Sequence, residues 1–235
     1  NTARIFLVYG DAGLGYFGTT EVRKNLLDKL EYFVKEAQQQ GIVVIVTPGV
    51  HNYFEVEPNK KFYQQILQRL ASYKNIIYDI QNEPDLEAQH IPSRRETIVG
   101  WCNSIAEFVK QNDPGRHLVT IGFSGLDLMV NGETELFNID IASFHLGTPS
   151  AYLLQQRVVT LRDTLEKRGF QDMPIAIEEI GLCSKDFNEE VRAQKFKELY
   201  ETAKKLDVPI FIWWCLRDIP FDPNAIDGDR INVEP

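Results

Sequence analysis

Cysteine is scarce in this chain, long apolar runs are absent, and positive charge is in the minority. The three cysteines, Cys102, Cys183 and Cys215, follow no metal-ligand spacing and cannot all pair, so neither a metal site nor a disulfide framework is predicted. No apolar stretch approaches the roughly 20 residues that a membrane-spanning helix needs. Acidic residues outnumber basic ones by 34 to 25, giving a net charge of −9, which argues against phosphate backbones or an anionic membrane surface as partners.

Two catalytic motifs are also missing. The sequence has no Gly-x-Ser-x-Gly, and no glycine-rich phosphate loop follows any predicted strand, which disfavours a doubly wound hydrolase with an unrelated nucleophile. It shows no break in composition, no internal repeat and no low-complexity linker. Residues 1–235 are therefore expected to form a single domain.

Short apolar runs alternate with amphipathic segments along the chain. The runs predict seven strands, which begin near Arg4, Ile42, Ile76, His117, Ile139, Pro174 and Pro209. Such alternation indicates the α/β class, with a parallel sheet covered by helices. Strands that are apolar throughout, with polar and aromatic residues gathered after each one, favour a closed TIM (β/α)8 barrel with its site at the carboxyl ends of the strands. A complete barrel has eight strands, and an open doubly wound sheet would accommodate seven, so periodicity alone leaves both folds open.

Two glutamates stand at the ends of predicted strands. Pro84 prevents the third strand from continuing in regular form, which leaves Glu83 at its exit. Glu179 ends another strand, three strands later. In one barrel the two carboxylates would project from the same rim across the mouth. Two facing carboxylates are what glycosidic cleavage requires, because one protonates the leaving oxygen while the other attacks the anomeric carbon or activates water.

The segments around these glutamates resemble glycoside hydrolases of clan A, most closely family 5, the cellulase and mannanase type of (β/α)8 barrel. The family's fourth-strand motif is similar to YDIQNEP, which implies that Glu83 is the acid/base and that Asn82 contacts the sugar 2-hydroxyl. Its seventh-strand motif is similar to IAIEEIG, which implies that Glu179 is the nucleophile. Strand alternation supports choosing Glu179 over Glu178, since neighbouring side chains point to opposite faces.

Three more segments resemble the family in the same order. NTARIFL resembles the second-strand segment whose arginine, here Arg4, hydrogen-bonds the nucleophile. IASFHLG resembles the sixth strand, whose histidine, here His145, lines the acceptor side near the acid/base. PIFIWWCLRD resembles the eighth strand, and its spacing selects Trp214 as the floor of the sugar subsite while leaving Trp213 in the outer layer. An aromatic floor suits a sugar, because the apolar C–H face of a pyranose stacks on a ring.

The resemblance extends from Arg4 to Asp218. It also explains why seven strands are predicted instead of eight, because the first strand here corresponds to the family's second. Either the family's first βα unit is lacking, or another segment such as residues 230–233 fills the gap.

Candidate walls of outer sugar subsites are Tyr9, Tyr16, Phe17, Tyr53 and Phe54, whereas Trp101 falls on a helical stripe and is expected in the core. Cys183 and Cys215 follow adjacent predicted strands, where they could pair or remain packed thiols.

The function that the resemblance implies is a retaining β-glycoside hydrolase that cleaves a β-linked glucan or mannan, as polysaccharide or oligosaccharide, by double displacement with two glutamates. It would use no metal and no cofactor, and its partner would be the glycan, not nucleic acid or a membrane. The rival hypothesis is a non-catalytic carbohydrate-binding barrel, or an inactive fragment of such an enzyme, that binds sugar through Trp214. A secreted or extracellular location is expected, although a chain that starts at Asn1 leaves this open.

Overall fold

The computed structural model describes residues 1–7, 23–49, 54–130, 138–181 and 188–213. Seven strands form one parallel sheet in which each strand lies beside the next in the chain. Their bounds are β1 Thr2–Phe6, β2 Val43–Thr47, β3 Ile76–Asn82, β4 Leu118–Phe123, β5 Ala142–Leu146, β6 Ile175–Ile180 and β7 Ile210–Trp213.

Helices connect the strands and cover the sheet. Their bounds are α1 Lys24–Gln39, α2 Val56–Leu70, α3 Pro84–His90, α4 Arg95–Asn112, α5 Asp127–Val130, α6 Ala151–Lys167 and α7 Glu189–Lys205, with a 3₁₀ turn at Pro92–Arg94. Within these described segments, none of the helices combines the length and apolar character needed to cross a bilayer. The pattern of α1 is typical: Leu30, Val34 and Ala37 share its buried face, and Gly41 follows the helix with a φ of +66°, a left-handed conformation that suits glycine.

The strand order decides between the two folds that periodicity left open. A doubly wound sheet reverses its order at a switch point, whereas this sheet runs from β1 to β7 without reversal. Residues of β1 and β7 also come within 8 Å of each other, Cα to Cα, so the sheet curls into a nearly closed barrel. The predicted TIM-barrel class is therefore confirmed, with seven strands in the described part of the chain.

Two apolar layers hold the barrel together. Inside it, Ile45, Ile77, Ile141 and Ala176 form a small cluster, while a larger cluster fills the space between sheet and helices. Trp101 of α4 lies in that larger cluster and is fully buried, as predicted. Phe54 meets its ring edge-on at 5.3 Å between centroids, which places Phe54 against the core.

A helix follows β3 almost directly. The strand runs through Asn82, and Pro84 then begins α3. Proline is well suited to the first turn of a helix, because the N–H that it lacks would have no helical partner there. Glu83 is consequently the single residue between β3 and α3.

Below the barrel, His117 and Asp113 form a buried pair that should make stability depend on pH. His117 Nδ1 lies 2.8 Å from Asp113 Oδ2, and Nε2 lies 2.5 Å from the carbonyl oxygen of Tyr73. Burial alone would lower the pKa of His117, but these hydrogen bonds raise it above its ordinary value. Burial would raise the pKa of Asp113, yet His117 holds it below its ordinary value.

We expect the pair to stabilise the fold most between about pH 4 and pH 6.5, the ordinary pKa values of the two groups. The aspartate contribution is lost as the pH falls through the lowered pKa of Asp113. The histidine contribution is lost as the pH rises through the raised pKa of His117. Urea denaturation at a series of pH values should show both losses in the native chain and a flatter profile in His117→Gln. Equal pH profiles in the native chain and in His117→Gln would contradict a contribution of this ion pair to stability.

Candidate active site

Arg4 is the centre of a polar layer that lies above the apolar interior of the barrel. Its side chain is 3% exposed, and its guanidinium reaches four other strands. The acceptors and their distances are Thr47 Oγ1 3.2 Å, Asp79 Oδ2 2.5 Å, Asn82 Oδ1 2.9 Å, His145 Nε2 3.2 Å and Glu179 Oε1 2.7 Å. One residue of β1 thereby fixes side chains of β2, β3, β5 and β6 relative to one another.

Asp79 is the fully buried counter-charge of Arg4. Its Oδ2 accepts from Arg4 and from Thr47 Oγ1 at 2.8 Å, and its Oδ1 accepts from the backbone N–H of Gly122 at 2.8 Å. Sequence reasoning overlooked this residue because it stands inside the apolar run of β3. An aspartate flanked by isoleucine and tyrosine in a buried strand was the available signal, since a buried carboxylate requires a partner.

The backbone at Glu83 is in an unusual conformation that turns the chain from strand to helix. The pairing of β3 with β4 shifts register between Asp79 and Asn82, which lets both side chains reach Arg4 although they are three residues apart. Glu83 then adopts a φ of +47°, in the left-handed region that few non-glycine residues occupy. Its N–H donates to the carbonyl of Gly122 at 2.7 Å. These constraints direct the Glu83 carboxyl group towards His145.

The two neighbouring glutamates of β6 both contact Arg4, so the prediction that alternation turns one of them away is wrong. Glu179 Oε1 accepts from Nη1 at 2.7 Å, and Glu178 Oε2 lies 3.3 Å from Nε. The physical reason is a register shift in the pairing of β5 with β6, where Phe144 pairs with Ile177 and His145 with Glu179. Such a bulge places two consecutive side chains on one face.

His145 links the two glutamates. Its Nε2 lies 3.2 Å from Arg4 Nη1, and because a guanidinium can only donate, Nε2 must accept and the ring proton must sit on Nδ1. Nδ1 is 2.8 Å from Glu83 Oε1 and 3.7 Å from Glu179 Oε2. The Nδ1–H therefore donates to Glu83 while the ring faces Glu179.

The two carboxyl groups face each other at short range. One oxygen of Glu83, one of Glu179 and a ring nitrogen of His145 all lie within 4.8 Å of one another. Three such atoms could share a cation, but Arg4 already lies against two of these side chains and its positive charge opposes a second cation. Burial raises the pKa of Glu179, and Arg4 opposes that rise.

Exposure distinguishes the two glutamates from the groups that hold them. The side chains of Glu83 and Glu179 are 24% and 20% exposed, whereas Arg4, Asn82 and His145 are nearly buried. A partly open carboxyl pair on a rigid, buried hydrogen-bond network can perform acid, base or nucleophilic chemistry on a molecule that enters the barrel mouth.

Gly122 has no side chain, and this leaves room for the guanidinium of Arg4. A Cβ at this position would lie 2.7 Å from Arg4 Nη2, 3.0 Å from His145 Nε2 and 3.2 Å from Glu178 Oε2. Any side chain at position 122 would therefore displace Arg4, a requirement that sequence reasoning did not detect.

Gly122→Ala should consequently displace Arg4 and lower the free energy of unfolding by about 1–3 kcal/mol, the usual cost of overpacking. Gly100→Ala is the matched control, because a Cβ on that exposed residue of α4 would meet nothing within 4 Å. It should raise stability by about 0.5–1 kcal/mol through helix propensity. Chemical denaturation of both variants provides the comparison, and a Gly122→Ala variant as stable as the native chain would contradict it.

The structure thus brings Arg4, Asn82, Glu83, His145 and Glu179 together. Trp214, the sixth predicted site residue, lies outside the described residues, as do Tyr9, Tyr16, Phe17, Tyr53, Cys183 and Cys215. Trp213 packs in the outer layer as predicted, with its ring edge-on to Phe196 of α7 at 4.8 Å.

Comparisons with known proteins agree with this architecture. The family described as Cellulase (glycosyl hydrolase family 5) matches residues 1–218. Endoglucanase E-5 of Thermobifida fusca is 28% identical over 110 residues, which amount to 44% of this chain and 22% of that relative. The matched part is thus a small share of the relative's length.

Two solved structures share the fold at low sequence identity. A broad-specificity endoglucanase from Clostridium longisporum superposes with a TM-score of 0.71 at 16% identity, covering 90% of this chain and 71% of that one. The exo-β-1,4-mannosidase Op5Man5 from Opitutaceae bacterium strain TAV5 gives a TM-score of 0.70 at 15% identity, covering 95% of this chain and 47% of that one. At such identities the likeness shows the barrel fold alone.

Proposed function

The chain belongs to glycosyl hydrolase family 5, as its motifs predict, and from this membership we propose that it is a retaining β-glycoside hydrolase. Glu179 is the nucleophile in this proposal and Glu83 is the acid/base. Arg4, Asn82 and His145 hold the two carboxyl groups and the substrate in place. The endoglucanase relative supports the hydrolytic activity.

The distance between the two glutamates carries the proposal of retention. Retaining glycosidases hold their carboxyl groups about 5–5.5 Å apart, whereas inverting enzymes need about 6.5–9.5 Å to fit a water molecule between carboxylate and sugar. Oxygens of Glu83 and Glu179 lie within 4.8 Å of each other. That gap supports direct attack by a carboxylate and disfavours attack by an interposed water.

In the first step, a Glu179 oxygen attacks the anomeric carbon and the bond to the leaving oxygen breaks. Glu83 gives its proton to that oxygen, so the leaving sugar departs as an alcohol. Arg4 donates to Glu179, which favours the ionised form that can attack. The product of this step is a glycosyl ester on Glu179 and an ionised Glu83.

In the second step, Glu83 acts as a base. It takes a proton from a water molecule while the water oxygen attacks the anomeric carbon and the ester to Glu179 breaks. Two inversions at one carbon return the original configuration. The Nδ1–H of His145 donates to Glu83 at 2.8 Å and orients it for both proton transfers.

The proposed substrate is a β-linked glucan or mannan. Membership of the cellulase family supports the glucan, and the motifs shared with cellulases and mannanases extend the range to mannan. Asn82 would contact the sugar 2-hydroxyl, and Trp214 would provide the stacking floor. A polysaccharide is too large to enter a cell, so we also propose that the protein acts outside it.

Release of reducing ends tests the function. Purified protein should release them from a β-glucan, a β-mannan or a xylan, with the double variant Glu83→Gln/Glu179→Gln as the inactive blank. NMR of the first product, before mutarotation, should show the β-anomer. Sugar binding without any release would identify a carbohydrate-binding barrel instead. An α-anomer as first product would overturn retention.

A further inference from the structure

Glu178 is a buried carboxyl group that the reaction described above does not use. Its side chain is 0% exposed and lies at the bulge of β6, directly before Glu179. The charged and polar groups that face it come from three other strands: Arg4 of β1, Asp79 of β3, and Ser143 and His145 of β5. Glu178 therefore belongs to the same layer as Arg4 but cannot reach a substrate.

Glu178 lies beside Arg4, but Arg4 has no hydrogen-bond donor left for it. A guanidinium has five N–H donors. All five donors of Arg4 have acceptors: Thr47 Oγ1, Asp79 Oδ2, Asn82 Oδ1, His145 Nε2 and Glu179 Oε1. Arg4 consequently has charge but no N–H left for Glu178. Among the residues that the structure describes, only the hydroxyl of Ser143 is placed to share a hydrogen bond with Glu178.

A second buried oxygen, Ser143 Oγ, lies beside Glu178. Among the described segments it has no hydrogen-bond partner other than Glu178 itself. An ionised carboxylate with a single hydroxyl as its donor is costly to bury, whereas a protonated carboxyl group can donate its own O–H to that hydroxyl oxygen. A neutral Glu178 that donates to Ser143 would provide partners for both groups at once. Burial raises the pKa of Glu178 to about 7, with Asp79 adding to the rise and Arg4, His145 and Ser143 opposing it.

We propose that Glu178 is a neutral carboxylic acid in the active protein, and that in this form it is a positioning residue that leaves Arg4 bound to Glu179. The catalytic half of this proposal rests on the proposed hydrolase activity. Loss of the proton to solvent would create an anion 3.3 Å from Arg4 Nε, which would then compete with Thr47 for the Nε–H. Rotation of the guanidinium towards Glu178 would weaken the Nη1 contact with Glu179.

The expected consequence is a reversible loss of kcat as the pH rises through neutrality. A group with a pKa of about 7 is about 90% protonated at pH 6 and about 10% at pH 8, so the native chain should lose about tenfold in kcat from this ionisation. KM should change little, because Glu178 does not reach the substrate.

Infrared spectroscopy tests the protonation state without reference to activity. The native chain at about pH 6 should show a protonated-carboxyl C=O band that shifts in D₂O, disappears in Glu178→Gln and persists in Glu83→Gln. Ser143→Ala should move the same band, because the acceptor of its O–H is gone. Spectra that are identical in the native chain and Glu178→Gln, or in the native chain and Ser143→Ala, would overturn the neutral form.

The pH dependence of kcat tests the positioning role. Glu178→Gln should lose a few-fold in kcat at acidic pH but should lack the additional tenfold fall, while the exposed control Glu198→Gln keeps the native profile. Ser143→Ala should change the pH at which kcat falls, because it removes the hydroxyl beside Glu178, and it covers the case in which Glu178→Gln does not fold. Parallel profiles for all variants would overturn the role of Glu178. A native chain that hydrolyses nothing would instead overturn the proposed function and leave the infrared result standing.

Discussion

Glu179→Gln is expected to abolish turnover, with a loss in kcat on the order of 10⁴-fold or more, while the protein remains folded. The amide cannot form a glycosyl ester under these conditions, yet its carbonyl oxygen can still accept from Arg4 Nη1, which contacts Glu179 at 2.7 Å. Glu83→Gln should lose about 10²–10⁴-fold, because proton transfer fails but the nucleophile persists. Steady-state kinetics and circular dichroism on the same preparations provide the measurement.

Rescue by azide distinguishes the two roles. In Glu179→Ala, azide fills the space of the missing carboxylate and attacks the anomeric carbon directly, so the glycosyl azide has inverted configuration. In Glu83→Ala, azide attacks the glycosyl ester of Glu179 and the product retains the β-configuration. If Glu179→Ala gave the retained azide and Glu83→Ala the inverted one, the roles of nucleophile and acid/base would be reversed. Near-native activity of Glu179→Gln or Glu83→Gln would exclude the proposed role of that residue.

Substitution of Arg4 should have the largest effect on stability. Arg4→Met leaves Asp79, Glu178 and Glu179 around a site without a cation, and breaking a buried ion pair in this way costs about 3–5 kcal/mol of unfolding free energy. Arg4→Lys keeps the charge but offers three donors where five acceptors stand. It should fold and lose about 10²–10³-fold in kcat.

Arg69 provides the matched control for this prediction. It also pairs with two carboxylates, Asp28 and Glu31, but it does so at the surface. Arg69→Met and Arg69→Lys should leave the urea midpoint and kcat almost unchanged, because exposed ion pairs contribute little. A similar loss of stability at both positions would mean that the polar layer inside the barrel has no special importance.

The order of the elements could be predicted because each strand is a compact apolar run. The predicted starts at Ile42 and Pro209, for example, lie one residue before the observed starts of β2 and β7. The positions of Glu83 and Glu179 followed from the same logic, since parallel strands of one barrel end at one rim.

The contacts of Glu178, Asp79 and Gly122 with Arg4 could not be predicted, because they depend on departures from regular strand geometry and on the path of the Arg4 side chain. Period-2 alternation assigns Glu178 and Glu179 to opposite faces, and only the register shift between β5 and β6 brings both to Arg4. The partner of Asp79 and the close approach at Gly122 likewise become visible only once Arg4 extends across the barrel. A bulge leaves no mark in composition or spacing, so these contacts emerge at the level of tertiary structure.

The left-handed backbone of Glu83 has a consequence for how related sequences diverge. A φ of +47° suits glycine or asparagine, and holding a glutamate there costs on the order of 1–3 kcal/mol. In the proposed mechanism, the acid/base role of Glu83 is the reason for a carboxylate at this strained position. In a lineage that has lost catalysis, position 83 would be among the first to change, and each replacement by asparagine or glycine would relieve backbone strain.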